Sequence, residues 1–197
     1  LALPLSTKEK SMSHYLSATT AGNLADVAHV RAFLQQAVDH YPRLAAFGFT
    51  LKLPYRENLA DYPSLMSRFH TEVWQRTDEY SRNRQQTRRH SPPTVLRWIW
   101  GATSAPVCRM VLMMNLDTLG GENTSQLNDN ALQDMSEIIC DAGQTVSGIR
   151  YDAVTNMASL SISRSDRGSF SSPFNQLKAW IQAMDAPVTM VRTGIAG

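Results

Sequence analysis

Two stretches of alternating hydrophobicity, VLRWIW (Val95–Trp100) and VCRMVLMMN (Val107–Asn115), are separated by only six residues, GATSAP. Alternation sends successive side chains to opposite faces of a strand, and the intervening Gly, Ser and Pro are turn residues. The pair is expected to form an antiparallel hairpin. An isolated hairpin is marginal in water, so the rest of the chain has to extend and cover it.

A third period-two segment precedes the pair. In LAAFGFTLKLP, Ala45, Phe47, Phe49, Leu51 and Leu53 alternate with Gly48, Thr50 and Lys52, which gives a half-buried strand ended by Pro54. Helical spacing appears at Val27, Val30, Leu34, Ala37 and Tyr41, stopping at Pro42. It returns from Asp61, with Pro63 in the first turn and Leu65, Phe69 and Val73 as the stripe. That helix is expected to dissolve into SRNRQQTRRHSPPT, a basic loop with Arg82, Arg84, Arg88, Arg89 and His90 and no acid.

Leu132, Met135, Ile138, Ile139 and Ala142 mark a further helix, with Gly143 near its C-terminal cap. Two short strands are expected at Val146–Tyr151 and Ala158–Ile162, around a turn at Asp152–Asn156. Ser172-Pro173 opens a last helix with Phe174, Leu177, Trp180, Ile181 and Met184 on its stripe, and MVRTGIAG is expected to be a loose tail. Residues 1–22, rich in Ser and Thr, are expected to be a flexible arm, and residues 23–197 a single domain.

Leaving the first helix aside, the order is strand, helix, strand, strand, helix, strand. This is an α+β, split βαβ (ferredoxin/RRM-like) antiparallel sheet with helices mainly on one face. The other face is then expected to be available, as in sheets of this kind that bind nucleic acid. Burying the larger apolar side chains against the helices leaves Lys52, Arg97 and Arg109 on the open side, because an unpaired buried charge is costly. Together with Arg82, Arg84, Arg88 and Arg89 they form the candidate nucleic-acid-binding set.

Composition narrows the remaining classes. The chain has 197 residues, 43% hydrophobic, with a net charge of +2, too small by itself to argue for nucleic-acid binding. No apolar run reaches the length of about 18 residues that a membrane span needs, so no membrane partner is expected. Cys108 and Cys140 make neither a disulfide framework nor a metal pattern, and a cytoplasmic location is expected. LALPLSTKEK lacks the charged start and long apolar region of a signal peptide, and the missing initiator Met suggests a trimmed chain or fragment. His14, His29, His40, His70 and His90 are scattered without ligand spacing and are expected to be structural or surface residues. Tyr80 and Tyr151 lack a neighbouring base or metal motif. No cofactor is expected.

HYPRLAAFGFTLKLP, MSRFH, LRWIWGA and VLMMNLDTLGG, in this order and spacing, resemble the replication proteins of filamentous phages and related prophage-encoded proteins (inovirus gene-two type). The resemblance runs from Val30 to Gly121. It implies an HUH-endonuclease-like fold, in which two histidines on one strand hold a divalent metal and a tyrosine on a later helix attacks the DNA. Matching VLMMN to the family's apolar run puts the histidine positions at Val107 and Arg109, and AWIQAMD puts Trp180 at the tyrosine and Ala183 at a following lysine. The acid expected after the aromatic strand is missing from GATSAP. On this match no metal-binding or catalytic residue is expected.

The resemblance therefore implies a catalytically inactive, prophage-derived DNA-binding regulator of replication or transcription, a pseudoenzyme with Arg109 where a metal would face phosphate. Two alternatives stand beside it. One is an interaction module that keeps the fold and binds a host or phage protein. The other is an active nicking initiator with relocated active-site residues.

Overall fold

The computed structural model describes residues 23–101, 105–120, 125–165, 171–184 and 188–194. The expected arm, residues 1–22, lies outside them. Helix α1 (Asn23–His40) leads into β1 (Arg43–Lys52), followed by α2 (Asp61–Gln86), β2 (Leu96–Gly101) and β3 (Val107–Asn115). A 3-10 turn, Leu116–Leu119, connects to α3 (Ser125–Ser147), and β4 (Val154–Ser163), α4 (Ser171–Gln182) and β5 (Val188–Thr193) complete the order.

The five strands form one antiparallel sheet in the order β4-β1-β3-β2-β5. The expected hairpin is present, with Trp98 opposite Leu112 and Trp100 opposite Met110. Its first four strands, with α2 and α3, make the split βαβ arrangement, and β5 is added beyond β2.

Strand alternation sorts the core into two layers. Phe47, Trp98 and Leu112 face α2 and α3, where Phe69, Val73, Met135 and Ile139 meet them. On the opposite side Leu44, Ile99 and Met113 are covered by Leu34 and Val38 of α1 and by Leu177 and Ile181 of α4. The face expected to be bare is therefore partly roofed. Both helices bring apolar stripes, which an exposed sheet face is the nearest place to bury.

Four local expectations are corrected. The basic segment is not all loop: α2 continues to Gln86, because SRNRQQ contains no Gly or Pro and its Arg and Gln are good helix formers. Of the two short strands, the first is absent and the second is part of a ten-residue strand, β4, which begins inside the expected turn; its pairing with β1 shifts register between Gly48 and Thr50, near Asn156 at φ 55°. Residues 146 and 147 still belong to α3, and Gly143 is inside that helix rather than capping it. A β-carbon there would stand 2.6 Å from Val154 Cγ2, so the glycine lets α3 approach β4. Met190–Thr193 of the expected tail belong to β5, which pairs with the outer edge of β2 and buries Met190 and Val191.

Candidate nucleic-acid interface

The seven expected contact residues occupy three places. Lys52 and Arg109 are exposed at one end of the sheet. Thr50 pairs with Arg109 and Lys52 with Val107, so the two cations are diagonal neighbours on one face. Arg109 Nη1 donates to the Ala183 carbonyl at 3.4 Å. Trp180 packs over Gly48, whose missing side chain makes the space, and Gly48, Arg109, Trp180 and Ala183 line one cavity of about 310 Å³. Positions far apart in the sequence, Arg109, Trp180 and Ala183, thus meet in one place.

Arg97 is not exposed. Only 6% of its surface is accessible, because the C-terminal end of α1 closes over it. Its Nη2 bonds to His40 Nδ1 at 2.8 Å, and its guanidinium lies 5.7 Å from the Tyr41 ring centroid. Burial lowers the Arg97 pKa, though an arginine stays charged in proteins. Burial, then the charges of Arg97 and Arg192, lower the pKa of His40, which keeps the ring neutral and able to accept. Arg97 therefore ties α1 to the sheet, and the expectation of a continuous basic patch through it is corrected. The sequence pattern placed it on the right face but could not show that α1 covers that face.

The remaining arginines gather at the C-terminal end of α2. Arg82 is on the helix surface and pairs with Asp78 at 3.2 Å. Arg84, Arg88, Arg89 and His90 line a cavity of about 1040 Å³ between α2, the 3-10 turn and α3. The helix ends in a paired reverse hydrogen-bond motif, Arg89 N to Arg84 O at 3.0 Å and Arg88 N to Gln85 O at 3.0 Å. Arg88 holds the left-handed position of this motif at φ 61°, where glycine is favoured.

Arg84 is placed more tightly. A β-carbon on Gly120, itself at φ 74°, would overlap its guanidinium, and the Tyr80 ring centroid is 5.8 Å from it. Arg84 Nε is buried without a hydrogen-bond partner. The cavity's acids are engaged elsewhere: Asp117 pairs with Arg43 at 3.0 Å, and Asp134 accepts from Tyr80 Oη at 2.9 Å. Burial, then the bond to Asp134, raises the Tyr80 pKa, so the phenol stays protonated as that donor. Among the described residues, Arg84, Arg88 and Arg89 make no ion pair with a carboxylate. The arrangement offers three guanidiniums to an anion, and each is suited to two-pronged bonding with phosphate oxygens.

This cavity is at the Arg43 end of β1, whereas Lys52 is at the other. A strand of ten residues separates the two basic groups by about 30 Å. The loop arginines and the Lys52–Arg109 pair are therefore not one patch. The sequence showed the arginines, with Tyr80 one turn before Arg84 on α2; it did not show Gly120 and Asp134, which come from other elements. Among the described residues no cluster of His, Cys, Asp or Glu is arranged to hold a metal ion, and no helix is long and apolar enough to cross a membrane.

A family model, Uncharacterised conserved protein UCP030791, matches residues 18–155, and the chain belongs to that family. No curated protein and no solved structure matches it.

Proposed function

We propose that this member of the UCP030791 family is a DNA-binding protein that grips phosphates and does not cut the strand it holds, acting as a prophage-derived regulator of replication or transcription. The observation that carries the reading is the convergence of Arg84, Arg88 and Arg89 on one cavity, with no carboxylate partner among the described residues and with Arg84 Nε unsatisfied. A buried donor without an acceptor is costly, and a phosphate oxygen is an acceptor that such a site can take from a ligand. Phosphate contacts give affinity without sequence information, so the selection of a particular DNA site falls to other residues.

The absence of cutting follows from the chemistry at the Arg109 end of the sheet. Val107 and Arg109 are not metal ligands, and Trp180 and Ala183, beside Arg109, offer no nucleophile. The resemblance to replication proteins supports the reading by matching the histidine and tyrosine positions to these residues. Arg109 supplies a fixed positive charge there, with Lys52 diagonal to it.

A direct experiment incubates the purified chain with a labelled single-stranded or duplex oligonucleotide, with magnesium or manganese present. Retarded, intact DNA is expected. Divalent-dependent cleavage that is lost on substituting a sheet residue would establish the nicking alternative instead. Intact DNA with no retardation would favour the protein-interaction alternative.

A further inference from the structure

A second cavity, of about 440 Å³, lies between the first half of α2 and the β2–β3 hairpin, on the side of the sheet away from Arg109. Its walls are largely apolar: Leu53, Tyr62, Met66, Trp100 and Cys108 contribute to them. One polar side chain in this lining is unusual. His70 is 4% exposed, stacks on Trp98 with centroids 4.2 Å apart, and meets Trp100 edge-on at 4.9 Å. The two tryptophans fix the imidazole on two sides, yet its Nε2 has no hydrogen-bond partner among the described residues.

Such an atom is costly to bury unsatisfied. A histidine that only filled space between two indoles would be replaced by phenylalanine without that cost. Its burial pushes the pKa down to about 3, so the ring is neutral at ordinary pH and presents no charge to the cavity. A neutral imidazole nitrogen either donates or accepts a single hydrogen bond. Small-molecule sites have this composition: mostly apolar walls, a few placed polar groups, and a volume of roughly 300–1,000 Å³.

We infer that this cavity is a binding site for a small, flat, uncharged aromatic molecule carrying one hydroxyl or equivalent hydrogen-bonding group, with the rings among Tyr62, Met66 and Trp100 and the hydroxyl on His70 Nε2. An engineered apolar cavity of about 150 Å³ takes one benzene ring, so this one admits two fused rings. A charged ligand is excluded, because the lining supplies no countercharge. The site is independent of the arginine cavity, which α2 places at its other end.

The probe is 2-naphthol, titrated into the full chain while the methyl resonance of Met66 is followed by NMR, with naphthalene as the comparison. Saturable shifts of Met66 with 2-naphthol are expected. Naphthalene, with the same rings and no hydroxyl, is expected to bind no more tightly, although water holds it less strongly. His70→Phe keeps the aromatic shape and removes the nitrogen. It is expected to weaken 2-naphthol at least tenfold while leaving naphthalene within about threefold. No saturable Met66 shift in the wild-type chain overturns the proposal. So does naphthalene binding more than tenfold more tightly than 2-naphthol, a comparison that needs no variant and stands even if His70→Phe fails to fold. Equal loss of both probes in a folded His70→Phe chain also overturns it, since the nitrogen would then have no specific role.

Discussion

Gly48, in the middle of β1, lies under the indole of Trp180 on α4, and a β-carbon on Gly48 would stand 2.8 Å from the ring. The contact seats α4 on the sheet beside Arg109. Because real β-carbons do not approach this closely, Gly48→Ala forces Trp180 outward or shifts the strand. A loss of about 1–3 kcal/mol of stability is expected, the usual range for overfilling a packed site. Chemical denaturation checks the size of the loss, and quenching of tryptophan fluorescence by iodide checks the mechanism, since a displaced Trp180 is more accessible.

Arg88 gives a prediction with opposite signs for stability and binding. It holds a left-handed backbone position at φ 61° that costs a side-chain-bearing residue about 1–2 kcal/mol. Arg88→Gly is expected to raise stability by about 1 kcal/mol while weakening DNA binding, because it removes a cavity-lining guanidinium. Thermal unfolding and oligonucleotide binding of the same variant test the two halves separately. A variant that is less stable than wild type would show that the Arg88 side chain supports the fold by more than its backbone strain costs.

His70 predicts a pH dependence. Its folded pKa, about 3, is below the ordinary histidine value of 6.5. The unfolded chain therefore takes up the proton first as pH falls. Stability from this group is complete above about pH 6.5 and is lost progressively toward pH 3, at up to about 1.4 kcal/mol per unit. His40, whose pKa is also lowered, contributes in the same direction. His70→Phe is expected to flatten the decline between pH 6.5 and 4.5 in urea denaturation. An unchanged slope would mean that the acid sensitivity comes from other groups.

Much of the fold was legible because the hairpin strands and β1 set their bulkier side chains at every second position. Their parity correctly assigned Trp98, Phe47 and Leu112 to one layer and Arg97 and Arg109 to the other. The pattern of a strand records which residues share a face and not what covers it. Arg97 was therefore expected in solvent, whereas α1 buries it against His40 and Tyr41. Local composition misled in the same way at Met190–Thr193, which looked like the start of a tail until β2 offered an edge to pair with. The arginine cavity was half visible: Tyr80, Arg84, Arg88 and Arg89 are close together in sequence at the end of α2, while Gly120 and Asp134 arrive from two other segments. His70 carried no local signal, since its meaning depends on Trp98 and Trp100 opposite it in the fold.

The most direct test of the account is the salt dependence of DNA binding by wild-type chain and by the triple variant Arg84→Ala, Arg88→Ala, Arg89→Ala. Affinity for a fluorescent oligonucleotide duplex is measured by anisotropy from 50 to 200 mM salt, and log affinity is plotted against log salt. Each phosphate contact contributes about 0.9 to the slope on duplex DNA. The account predicts steep weakening of wild-type binding with salt, and in a folded triple variant a slope shallower by about 2–3 with weaker binding to every sequence tried. Salt-insensitive or absent binding by wild type, or an unchanged slope in the triple variant, would contradict the claim that this arginine cavity holds DNA phosphates.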